Sequence, residues 1–256
     1  MPRANRYWVA GAAYHLTHRC HNREFLFKRA QERDGYRELL RQELRESSVS
    51  LLNYTITSNH VHLLVTAEAH ASVAALMQRV QGRFAEDYNR RNGRQGAFWS
   101  DRYHATQIDG GDHLWACLTY IDLNMVRAGV VRHPREWPWT GWHELTGERA
   151  RYRLLDQQAL LHRLEGQHAD SLQSAYRAAI DERIANDIGG LHREPQWTES
   201  IAVGSRAFVE NVEAQLLADQ VRTKTTRVQT SSGAWTLREV PPPSAYSPDF
   251  RPVNAF

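Results

Sequence analysis

Cysteine, lysine and long apolar runs are scarce in this chain. Among its 256 residues the only cysteines are Cys20 and Cys117. Two thiols cannot build a disulfide framework, so a reducing cytoplasm is the expected home. Lys28 and Lys224 are the only lysines, so nearly all positive charge is guanidinium. That bias suits bidentate recognition of phosphate, and GC-rich coding accounts for it equally well. No apolar run approaches a membrane span and no cleavable signal opens the sequence, so no membrane partner is expected. His-Glu-X-X-His, Gly-X4-Gly-Lys and Gly-X-Ser-X-Gly are also missing, which removes the usual metalloprotease, phosphate-loop and hydrolase-elbow chemistries.

What is present reads as a globular protein. The chain is 41% apolar and 24% charged, enough for one large domain or a domain with an appendage. Charge is uneven along it. Residues 1–135 hold 19 basic against 13 acidic side chains, a net of +6, while the remainder holds 13 against 16, a net of −3. Nine of the thirteen histidines also lie in the first part. A basic half of this kind suits a nucleic-acid backbone.

Two short motifs carry the chemistry. The first is Ser58-Asn59-His60-Val61-His62-Leu63-Leu64-Val65. Strand side chains alternate faces, so His60 and His62 share one face while Val61, Leu63 and Val65 turn to a core. Leu64 follows where metallo-hydrolase His-X-His clusters continue with Asp and His. The second motif is Tyr120-Ile121-Asp122-Leu123-Asn124-Met125-Val126-Arg127-Ala128-Gly129. Its spacing predicts an amphipathic helix ended by a cation and a glycine. Leu114, Leu118, Ile121 and Met125 form its expected buried stripe. His113, Cys117, Tyr120, Asn124 and Arg127 form a second stripe, expected off the core. An isolated His-X-His is usually chance and a helical tyrosine is usually packing. Together they suggest a metal site beside a tyrosine.

With Arg102-Tyr103 between them, these motifs resemble the single-tyrosine transposases of the HUH endonuclease superfamily, and most of all the REP-associated tyrosine transposases. Tyr14 to Arg19 with Asn22-Arg23 resembles the family's first strand, and Arg83 to Gly96 its long basic helix. The resemblance runs from about Tyr14 to Val131. Met125 departs from it, standing where the family often has proline. The resemblance implies that His60 and His62 bind a metal, that Tyr120 is the nucleophile, and that Asn124 is the third ligand. It implies Mg²⁺ or Mn²⁺ as cofactor. Two imidazole nitrogens and one amide oxygen should hold such an ion weakly until substrate phosphate completes the shell. The implied partner is single-stranded or hairpin DNA from palindromic repeats, cut through a 5′-phosphotyrosine, in a nucleoid-associated protein acting as monomer or homodimer. A protein of the same fold that binds repeats without cutting them is the alternative.

Strands in pairs with interposed helices predict an α+β fold, an antiparallel sheet covered by helices, in agreement with the palm-like core the resemblance implies. Expected strands are 8–20, 49–57, 60–66 and 102–108, with helices at 29–47 and from Ser72 to about Asn92. Residues 1–135 form the expected catalytic domain. Residues 136–222 are expected to be a helical C-terminal region, and 223–256 a flexible proline-rich tail. Arg19, Arg83, Arg90, Arg102 and Arg127 are the candidate DNA contacts. The Arg83 and Arg90 face of the long helix reads equally well as solvated surface. Phe98-Trp99 and the Trp137 to Trp142 connector are expected to pack rather than stack on bases.

Overall fold

The computed structural model describes residues 8–164, 171–186, 192–221 and 224–240. Four strands come from the N-terminal half: β1 (Ala13–Arg19), β2 (Ser50–Ile56), β3 (His60–Thr66) and β4 (His104–Ile108). Helices α1 (Ala30–Arg45) and α2 (His70–Asn92) lie between them, and α3 (Gly111–Asp122) and α4 (Asn124–Arg127) follow. The rest of the chain adds α5 (Trp142–Leu145), α6 (Gln157–Arg163), α7 (Leu172–Ala185), α8 (Gln196–Glu199), β5 (Ala202–Gly204), α9 (Arg206–Ala218), β6 (Thr225–Gln229) and β7 (Trp235–Glu239). The fold is α+β, and among the described residues all seven strands join one sheet in the order β2-β3-β1-β4-β5-β7-β6.

The sheet departs from the expected one in two ways. It is mixed, because β5 runs parallel to β4 through Gln107↔Ala202 and Ile108↔Val203. It also extends into the stretch expected to be a tail. Residues 225–239 form the β6–β7 hairpin, and β7 pairs with β5. The hairpin was hidden in a polar sequence because β6 lies exposed at the sheet edge, without the buried alternation that marks a strand. Residues 241–256 of that stretch lie outside the described residues.

Alternation gives the N-terminal sheet two differently used faces. On one, Tyr54 and Leu63 pair across β2 and β3, and Arg37 of α1 donates to the Tyr54 hydroxyl. Phe84 of α2 packs there with Phe27, Tyr36 and Phe98. On the other, Thr55 opposes His62, and Thr17 opposes it from β1. Helix α3 lies on this second face. Asn53 Nδ2 donates to the Leu118 carbonyl at 3.1 Å and Thr55 Oγ1 to the Ile121 carbonyl at 2.9 Å. The Ile121 carbonyl sits in the last turn of α3, where intrahelical partners run out, so the β2 threonine satisfies it.

The aromatic connector packs as expected. Thr140 bridges to Thr55, and Ile56 N–H donates to the Trp139 carbonyl, so the connector covers the β2 edge. Trp99 stacks on His18 with centroids 4.3 Å apart and donates to the Gln81 carbonyl. At β5 the approach is also close: a Cβ on Gly204 would lie 2.4 Å from Asp109 Cβ. Only glycine lets this strand reach β4.

Candidate active site

The register of β1 and β3 assembles the first half of the site. Arg19 lies opposite His60 and Thr17 opposite His62. His15, two residues before Thr17, shares their face and sits diagonally from His62. The His60 and His62 rings are 4.7 Å apart. His62 is buried and His60 half-buried. Burial pushes both imidazoles well below their usual range, reinforced by Arg19 and Arg127 at His60, which falls to about 3, and by the His60 and His15 rings ahead of those arginines at His62. Both rings are therefore neutral at physiological pH, as metal ligation requires.

The second half comes from the broken helix. Expected as one element, it divides at Leu123 into α3 and α4. The stripe expected off the core is in fact turned against the sheet: Cys117 is fully buried and Tyr120 only 5% exposed. The reason is that α3 is covered on two sides, by the sheet and by the C-terminal helices. The Tyr120 ring lies 6.1 Å from His62, 6.0 Å from His15 and 5.9 Å from Trp197. Burial raises the Tyr120 phenol, and Arg127 partly offsets this. The Arg127 guanidinium stacks 3.9 Å from the Tyr120 ring and donates to its carbonyl at 2.6 Å.

Asn124, the first residue of α4, reaches His62, with Nδ2 donating to Nε2 at 3.0 Å. Arg19, Arg23, His60, His62, Tyr120, Asn124, Arg127, Ala128 and Arg193 line one pocket of about 340 Å³. Among the described residues, four arginines and no carboxylate line this space. It is built for an anion.

The three expected ligands, His60, His62 and Asn124, would suit an ion of modest affinity. His60 Nδ1 lies 2.7 Å from Asn59 Oδ1 and 2.9 Å from Thr57 Oγ1. The Thr57 hydroxyl donates to the His60 carbonyl, so both oxygens accept from Nδ1–H. Nε2 is left as the lone-pair nitrogen of His60. The Asn124 amide presents NH₂ to His62, and turning it over brings Oδ1 to the same place. Two imidazoles and an amide carry no negative charge, and among the described residues no three His, Cys, Asp or Glu side chains are placed to hold an ion by themselves. Phosphate oxygens would supply what this set lacks.

The candidate arginines fare differently. Arg19 and Arg127 join the pocket. Arg83 pairs with Glu43 of α1, and Arg90 with Asp87 of its own helix. Arg102 is exposed and does not line the pocket. Residues not anticipated as part of the site are His15, Arg23, Arg193 and Trp197. His15 carried a signal, since a histidine in a strand's inward register is unusual. Arg193 and Trp197 carried none, because only the tertiary fold brings them back.

Residues 9–124 match the family described as transposase, IS200 like. The match takes in His60, His62 and Tyr120 and ends on Asn124, which bears out the resemblance read from the motifs. No curated protein matches the chain. Among solved structures, a REP-associated tyrosine transposase bound to a REP hairpin is similar with a TM-score of 0.50 and 17% identity, over 57% of this chain and 86% of that one. A putative transposase from Deinococcus radiodurans R1 matches at TM-score 0.34 and 18% identity, over 46% of this chain and 93% of that one.

Proposed function

Residues 9–124 match the IS200-like transposase family, and on that likeness we propose that the chain nicks and rejoins single-stranded DNA next to hairpins through Tyr120. The observation that carries the proposal is the seating of Tyr120 beside His62 and Asn124 in a pocket framed by four arginines. Arg19, Arg23, Arg127 and Arg193 hold the scissile phosphate, and the half-buried Arg19 and Arg127 act on it with less screening by water than the exposed Arg23 and Arg193. Tyr120 Oη attacks phosphorus in line. A P–O bond forms to the phenol oxygen as its proton passes to water, and the P–O3′ bond breaks as O3′ takes a proton from water, leaving a 5′-phosphotyrosine and a free 3′-hydroxyl. Reversal by a strand end rejoins DNA, so no nucleotide cofactor is consumed.

Mg²⁺ or Mn²⁺ held by His60, His62 and Asn124 would polarise the phosphate. Arg127 stacked on the ring fixes the phenol's direction and favours its anion. Hairpin DNA is the proposed substrate class, in line with the hairpin-bound structure that shares the fold. A larger cleft of about 780 Å³ between α3, α7 and the β6–β7 turn shares Arg193 with the catalytic pocket. It offers a path for the strand leaving the site.

The test is incubation of labelled hairpins bearing single-stranded flanks with Mn²⁺, followed by denaturing electrophoresis. The parent protein should form a covalent adduct. Tyr120→Phe should form none while binding hairpins with near-parent affinity. Adduct formed by the Phe variant would remove Tyr120 as nucleophile. Binding without any adduct from the parent protein would favour a non-cutting repeat binder.

A further inference from the structure

A chain of four groups crosses the floor of the site. The Trp197 carbonyl accepts from His15 Nδ1 at 2.8 Å. His15 Nε2 lies 2.7 Å from His62 Nδ1. His62 Nε2 accepts from Asn124 Nδ2 at 3.0 Å. Both rings are essentially inaccessible to solvent.

A carbonyl can only accept, so His15 carries its proton on Nδ1. A buried neutral imidazole holds one proton, so His15 Nε2 is a lone pair. The 2.7 Å contact then requires His62 to donate from Nδ1. His62 Nε2 is left as an acceptor, which agrees with the Asn124 amide placed against it. Every bond in the chain runs in one direction. The opposite tautomer of His62 would set two lone pairs against each other at 2.7 Å.

We propose that His15, oriented by the Trp197 carbonyl of the C-terminal region, fixes His62 as the Nδ1–H tautomer and so presents the Nε2 lone pair to the catalytic metal. His15 is thus a positioning residue that acts through His62, and the inference rests on the metal reading given above. The ring nitrogen that binds an ion is set by the hydrogen bond its other nitrogen makes. Free imidazole side chains favour the Nε2–H form, which blocks the nitrogen needed here. Thr17 Oγ1, 3.4 Å from His62 Nδ1, is too distant to impose the choice alone. The consequence is that a segment outside the matched residues 9–124 prepares a ligand inside them.

Long-range ¹H–¹⁵N spectra of protein with ¹⁵N-labelled histidine read the tautomer directly, with His62 assigned from the signals missing in His62→Gln. Parent His62 should be protonated on Nδ1. His15→Phe should shift His62 toward the Nε2–H form and weaken binding of Mn²⁺ alone, followed by its paramagnetic resonance, by about ten- to a hundredfold. His15→Gln should restore both, because its amide can donate to the Trp197 carbonyl and accept from His62. Parent His62 protonated on Nε2 would overturn the proposal without any variant. So would an unchanged tautomer in a folded His15→Phe protein, or equal Mn²⁺ affinity in the two. If the parent shows the relay and binds no Mn²⁺, the tautomer assignment stands and the metal reading fails.

Discussion

Removing the Tyr176 hydroxyl should destabilise the protein by an amount that depends on pH. Tyr176 of α7 donates to Asp122 Oδ2 at 2.6 Å, and Thr140 donates to the other carboxylate oxygen. Both Tyr176 and Asp122 are buried, and Asp122 ends α3 two residues after Tyr120. Burial raises Asp122 from 3.8 to about 6, with the bonds from Thr140 and Tyr176 acting the other way. The sign follows from the raised value. The native state binds this proton more tightly than the unfolded chain, so Asp122 favours the fold below about pH 4. That contribution is lost as pH rises through about 6, a swing of about 3 kcal/mol. Tyr176→Phe removes an ordinary bond of about 1 kcal/mol from the protonated acid, but a charge-assisted one of about 2–3 kcal/mol from the carboxylate. Urea unfolding of parent and variant at pH 4.5 and pH 8 should show the difference growing from the first figure to the second. A difference that stays flat with pH would refute the reasoning, because the bond would not then be made to a titrating Asp122.

His60→Ala, His62→Ala and chelation by EDTA should each abolish adduct formation, while Asn124→Ala lowers its rate less, because water can replace one neutral oxygen ligand. Cleavage rate against Mn²⁺ concentration checks this, and full activity in EDTA would remove the metal from the mechanism. Arg19→Ala and Arg127→Ala should each flatten the salt dependence of hairpin binding by about one counterion. Arg83→Ala, whose parent side chain pairs with Glu43, should leave that slope unchanged in isotherms at several salt concentrations.

The legible parts of the sequence were those with a local period. His60-X-His62 alternates with its apolar neighbours, and β3 begins and ends where the alternation does. The long helix to Asn92 and the strand through His104 also followed from pattern. The side of α3 facing the sheet was not legible. Leu114, Leu118 and Ile121 mark one buried stripe, but Cys117 and Tyr120 are covered too, and the second cover comes from residues about 80 positions away. β5 was missed because three residues give no period, and its pairing depends on Gly204 clearing Asp109. The basic face of α2 read equally well as a phosphate track or a solvated surface. Glu43, on another helix, claims Arg83 there and Arg79 as well.

The most far-reaching expectation open to direct test is that residues 1–135 form the catalytic domain, with the rest of the chain a separate region. The structure argues that a chain cut after residue 135 will not fold cooperatively. Leu145, Leu160, Leu164, Tyr176, Ile180 and Trp197 belong to the same apolar cluster as Tyr14, Leu63 and Leu118. Each is nearly or fully buried, and burial of such a side chain is worth about 1.5–3 kcal/mol. The six together amount to about 9 kcal/mol or more, comparable with the whole stability of an ordinary domain, about 5–15 kcal/mol. The cut would also strip β4 of its β5 partner, leaving an open edge. It would take two donors from the Asp122 carboxylate, at a cost that apolar repacking cannot offset. His15 would lose the Trp197 carbonyl that orders it. Residues 1–135 expressed alone should therefore show a broad thermal transition, little near-ultraviolet dichroism and strong binding of an apolar dye. A sharp transition with a dispersed amide spectrum would show instead that the catalytic half carries its own complete core, and that the C-terminal strands and helices are an addition to it.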